Sequence, residues 1–149
     1  MTDFSTQQTK QLAKLLGRPP RGLSKGTAEC FLLRYVFLEA LVRLVGRYYR
    51  ERSTTQKKAA SEDSSLNVEV VKRSLKHFGV LADERRVDAL LGSSKAKRGQ
   101  KTARTLRNGL VHRWDVGDAK EAVDRFERLV TAITALVDAI AMRVRGQTP

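Results

Sequence analysis

Two stretches of this chain carry enough helically spaced apolar residues to set the fold class by themselves. From about Thr27 to Arg50, Phe31, Leu32, Tyr35, Val36, Leu38, Leu41, Leu44, Val45 and Tyr48 recur at intervals of three and four. They cover much of the circumference, as in a helix with neighbours on several sides. Toward the C-terminus Val123, Phe126, Leu129, Val130, Ile133, Leu136, Val137, Ile140 and Val144 keep to one face. Asp118, with Glu121 three residues on, reads as a capping box opening that helix. Two such helices are expected to pack antiparallel. Alternating strand patterns are short everywhere, so the expected fold is an all-α antiparallel bundle.

Shorter elements surround this pair. Leu12, Leu15 and Leu16 fall on one side of a helix from about Thr6 to Leu16, which Gly17-Arg18-Pro19-Pro20 stops. Residues 1–24 read as an N-terminal appendage to a helical domain over 25–149. Val68, Val71, Leu75 and Phe78 fit a short helix ending at Gly79, and Val87, Leu90 and Leu91 fit another from Asp83 to Gly92. Ser53 to Ser65 holds no large apolar residue and is expected to be a mobile loop.

Composition narrows the functional classes. Cys30 is the only cysteine, which excludes an intrachain disulfide and fits a reducing compartment. The segment Met1 to Leu16 lacks the apolar stretch of a signal peptide. The richest apolar run, Cys30 to Val45, is interrupted by Arg34, Glu39 and Arg43 and falls short of the roughly 18 to 20 residues a membrane span needs. A cytoplasmic protein with no membrane partner is the expectation. Two histidines and one cysteine, none at metal-ligand spacing, and no glycine-rich phosphate loop predict neither metal nor cofactor. The net charge of +13 favours a polyanionic partner, nucleic acid first and an anionic membrane surface second.

The charge is concentrated. No acidic residue stands between Asp88 and Asp115, whereas Lys95, Lys97, Arg98, Lys101, Arg104, Arg107 and Arg113 are all cationic, an RNA-binding surface in the making. On a helix from about Lys101 to Trp114, Lys101, Arg104, Asn108 and His112 share one stripe while Leu106 and Leu110 form an apolar one. Arg107 and His112, five positions apart, are separated by about 140° and about 7.5 Å on a regular helix, so a bend at Gly109 or a second copy is needed to bring their heads together. The residue types suit one chemistry. Cleaving RNA without metal calls for proton transfer at the ribose 2′-OH and the departing 5′-oxygen, and for positive charge on the phosphate; imidazole and guanidinium supply these.

An arginine five places before a histidine arises by chance in about one chain in four of this composition, and Lys72 before His77 is a decoy of the same spacing. Requiring asparagine directly after the arginine, when the chain has only Asn67 and Asn108, lowers that to a few in a thousand. Arg107-Asn108-Gly109-Leu110-Val111-His112 resembles the motif of HEPN domains: arginine, a polar residue, three variable residues and histidine. The flanking long helices, over roughly Thr27 to Val144, are similar to that family's helical bundle.

The resemblance implies a homodimer that joins two motifs, metal-independent RNA cleavage leaving cyclic phosphates, and a role as toxin or defence effector. It gives Arg107 the scissile phosphate, His112 the proton transfer, and Asn108 the orientation of His112 or substrate. It also implies an antitoxin or other inhibitory protein partner. In many toxins of the family a tyrosine two places after the histidine is modified by the antitoxin; Trp114 stands there and has no hydroxyl to accept a nucleotide. Two other readings stay open: a non-catalytic HEPN-like module binding RNA, nucleotide or protein, and a basic DNA-binding regulator whose helix-turn-helix spans Val68 to Leu91. Glu39 reads as an ion-pair partner of Arg43, with influence on His112 as the alternative.

Overall fold

A computed structural model describes residues 1–52, 66–92 and 100–147. The expected loop 53–65 and the cationic residues Lys95, Lys97 and Arg98 lie outside the described residues. Seven helices and no strand occur among those described: α1 Thr6–Leu16, α2 Ala28–Arg50, α3 Val68–His77, α4 Glu84–Leu91, α5 Ala103–Arg113, α6 Val116–Asp124 and α7 Phe126–Gly146.

Side-chain caps set most of the starts. Ser5 and Gln8 form a reciprocal capping box on α1, Thr27 caps α2, Asn67 caps α3, Asp83 caps α4 and Thr102 caps α5. Each oxygen accepts from a backbone N–H that has no partner within its helix. Gly79, at φ 72, takes the left-handed turn that ends the α3 segment.

The C-terminal helical segment differs from expectation. It is split at Arg125, whose backbone sits at φ −104, ψ 14, and it opens on Asp115 rather than Asp118. The Asp115 carboxylate accepts from the Asp118 N–H at 2.9 Å. Asp118 is therefore a first-turn residue, and its side chain turns inward instead of capping.

The core is one continuous set of buried apolar side chains drawn from every helix, centred on Phe31, Tyr35, Leu38, Leu41, Val42 and Val45 of α2. The N-terminal segment belongs to it. Leu12 is fully buried and Phe4 stacks on Phe78 at 4.4 Å, so Phe4 and α1 pack into the bundle, while residues 17–24 lie mostly at its surface. Gln147 closes this end by accepting from the Phe4 N–H and donating to the Phe4 carbonyl.

The direction of the long pair is also a correction. At one end Gly26, just ahead of α2, shares a cavity with residues 123–128 at the start of α7. At the other end Phe4 packs on Tyr48, near the end of α2, and is bonded to Gln147, just past α7. Like ends meet, so α2 and α7 run parallel. Apolar periodicity determines which faces pack but carries no direction; here α3 to α6 form a long crossover that returns the chain to the starting end.

Candidate functional site

The motif lies on α5, whose position is fixed at both ends. At the start, the buried Thr102 hydroxyl donates to the Gly92 carbonyl at 2.7 Å and accepts from the Thr105 N–H, tying α5 to the end of α4. Leu106 and Leu110 sink into the core. At the finish, Trp114 adopts φ 47, ψ 53, a left-handed conformation that glycine or asparagine usually fills at a helix end, with its indole half-exposed. Its N–H and that of Asp115 close on the carbonyls of Leu110 and Gly109.

Gly109 does not bend the helix. It is buried within regular α5, and a methyl built on it would lie 1.7 Å from Asp118 Oδ2. The missing side chain is what lets the Asp118 carboxylate rest on the α5 backbone. Asp118 is in turn paired with Lys101 Nζ at 2.5 Å, its side chain only 3% exposed. Lys101 lies ahead of α5, outside the projected stripe, and its ammonium is committed to clamping α6 against α5. That pairing raises the lysine's pKa, first through the hydrogen bond to Asp118.

Arg107 is held from two sides. Its NH1 donates to Asn108 Oδ1 at 2.9 Å, and its Nε lies 3.7 Å from Glu39 Oε2 on α2. The other oxygen of Glu39 accepts from Arg43 Nε and NH2 at 3.1 and 2.9 Å. Glu39 is thus the partner of Arg43, as its spacing suggests, and it also reaches Arg107 rather than His112. Tyr35, one turn before Glu39 and fully buried, has its phenol pKa raised, first by burial and then by the Glu39 charge; Arg104, Arg107 and Arg43 pull the other way.

The remaining motif residues face outward. Asn108, His112 and Arg113 are exposed, and Asn108 contacts Arg107, not His112. His112 and Arg113 sit in the last turn of α5, where the helix's carbonyl end favours positive charge. Arg104 directs NH1 to the Leu91 carbonyl at 3.4 Å. Arg107 and His112 are thus presented from one helix but on separate sides, with Val111 exposed between them. Sequence reasoning paired Glu39 with Arg43 but missed the Asp118–Lys101 clamp and the place of Tyr35 and Arg107 beside Glu39. The four-residue spacings on α2 signalled the second, while nothing local signalled the first.

No family model, curated protein or solved structure matches this chain. With α2 and α7 parallel, the likeness to HEPN domains stands on the six-residue motif. No helix among the described residues is long and apolar enough to cross a membrane. Among the same residues, no three His, Cys, Asp or Glu side chains are grouped as metal ligands.

Proposed function

We propose that the chain is an RNA-cleaving endonuclease of the HEPN type, in which two copies complete the site and the chemistry proceeds without a metal. The observation that carries this reading is the outward face of α5. It offers an exposed imidazole at His112 and, five residues back on another side of the helix, a part-buried guanidinium at Arg107 oriented by Asn108 and Glu39. On a chain of net charge +13, that face is positioned to attract a polyanion.

In this reaction one imidazole accepts the proton of the ribose 2′-OH, and the resulting oxygen attacks the adjacent phosphorus. The P–O5′ bond breaks, and the departing 5′-oxygen takes a proton from the second copy's imidazole. The products are a 2′,3′-cyclic phosphate and a 5′-hydroxyl. Guanidiniums spread the charge that builds on the non-bridging oxygens. Two copies are needed because the Arg107 and His112 of one α5 point to different sides, while a facing α5 supplies the complementary group.

The decisive experiment incubates the full chain with RNA in excess chelator and maps the ends. Cleavage leaving cyclic-phosphate termini is expected. His112→Ala should lower the rate by about two to four orders of magnitude as proton transfer is lost. Arg107→Ala should lower it by about two to three orders as charge stabilisation is lost. Folded protein that cleaves no RNA, or a His112→Ala variant as active as the parent, refutes the assignment.

A further inference from the structure

Two polar atoms in the groove between α2 and α5 are buried without a hydrogen-bond partner: the Tyr35 hydroxyl and Arg107 Nε. Both are donors. The one carboxylate between them, Glu39, is shared out already, with Oε1 taken by Arg43 in two hydrogen bonds and Oε2 left at 3.7 Å from Arg107. Arg104, whose charge also acts on the Tyr35 hydroxyl, sends its NH1 to the Leu91 carbonyl instead, so two guanidiniums, Arg43 and Arg107, meet at this carboxylate. Among the described residues the Tyr35 hydroxyl and Arg107 Nε are short of acceptor oxygens, and buried donors lacking acceptors are rare in folded proteins. A group bringing several anionic oxygens at tetrahedral angles remedies this, and arginine forks match phosphate oxygens in geometry as well as charge.

We propose that the α2–α5 groove is a phosphate-binding subsite in which Arg43 and Arg107 take the non-bridging oxygens, and Glu39 acts as an internal stand-in that yields to them. As phosphate replaces it on Arg107 and Arg43, the Glu39 carboxylate turns to accept from the Tyr35 hydroxyl, one helical turn away on α2. Every donor in the group then has an acceptor. Glu39 and Tyr35 are positioning residues here; the arginines make the contact. The identity of the carrier, the RNA phosphodiester that is cut and that Arg107 holds, rests on the function proposed above, whereas the subsite itself does not.

The test measures binding by the intact chain in two arms, inorganic phosphate and a short single-stranded RNA with 2′-O-methyl riboses that cannot be cleaved. Variants are Arg43→Ala, Glu39→Gln and Tyr35→Phe, with Arg85→Ala on α4 as a control that removes the same charge from an exposed site elsewhere. Arg43→Ala is expected to weaken oligonucleotide binding about tenfold, several times more than Arg85→Ala. Glu39→Gln should bind inorganic phosphate more tightly, because the competing negative charge is gone. Tyr35→Phe should melt no lower than the parent without phosphate, and should gain less in melting temperature when phosphate is added. Binding of phosphate but not of the oligonucleotide keeps the subsite and removes RNA as its carrier. Equal losses in Arg43→Ala and Arg85→Ala, or weaker phosphate binding by Glu39→Gln, overturn the subsite. Cleavage that disappears in His112→Ala while these binding results fail separates the two ideas in the other direction.

Discussion

Replacing Gly109 with alanine adds one methyl group at a place where the structure has no room for it. The new carbon would stand 1.7 Å from Asp118 Oδ2 and 2.8 Å from its Cγ, so the carboxylate must leave. The Asp118 side chain is 3% exposed and is ion-paired with Lys101, whose side chain is 32% exposed. Breaking a fully buried pair costs about 3–5 kcal/mol, and the partial exposure of the lysine places this one near or below the lower figure, about 3 kcal/mol. Alanine returns about 1 kcal/mol through its better helix propensity. The net loss is about 2 kcal/mol, which for a chain of this size lowers the melting temperature by about 6 °C.

The reasoning is checked by a double-mutant cycle read by thermal and urea denaturation. In an Asp118→Ala background the obstacle is gone, so Gly109→Ala should be neutral or stabilising there, leaving a coupling of about 2–3 kcal/mol between the two positions. Additive effects would show that the clash does not set the cost. A Gly109→Ala protein as stable as the parent would show that α6 is free to drift from α5, and the tight seat argued for the motif would be lost with it.

Three further outcomes follow from the geometry. Asn67→Ala removes the oxygen that accepts from the N–H groups of Glu69 and Val70, and should cost about 1 kcal/mol, a fall of about 3 °C in melting temperature. The His77 pKa is lowered, first by desolvation and then by Arg52 and the N-terminal amine. Its neutral form is therefore favoured by folding, and the stability linked to it, present above the unfolded value near 6.5, is lost as pH falls through the lower folded value. His77→Gln should flatten that part of the stability–pH curve, and an unchanged slope would contradict the assignment. Trp114 is the only tryptophan, half-exposed beside His112, so saturating RNA should shift or quench its emission; an unaltered spectrum at saturation would place RNA elsewhere.

How much of this was legible in the sequence depends on whether the information is local. The ranges of α1, α2, α3 and α4, with starts near Thr27 and Asp83, follow from apolar periodicity and helix-stop residues within a few positions. The split at Arg125 does not, because the apolar stripe runs through it unbroken. Neither does the parallel course of α2 and α7, since a hydrophobic face looks the same from either end. Lys101 counts as a free cation in any tally of charges, yet its acceptor stands 17 positions on and in another helix. Gly109 invites a reading as a hinge, and only the position of Asp118 shows it to be a seat.

The same distinction explains the candidate site. Residue type and spacing single out Arg107, Asn108 and His112, and a regular α5 then dictates that the guanidinium and the imidazole leave the helix in different directions. That divergence is a property of one copy alone. The proposed cleavage needs both groups at one phosphodiester, so on that proposal a facing α5 is the simplest completion. Under the proposed function, the second copy is thus required by the angle between two side chains whose identities are plain in the sequence, although the contacts that would bring two copies together are not written in the motif.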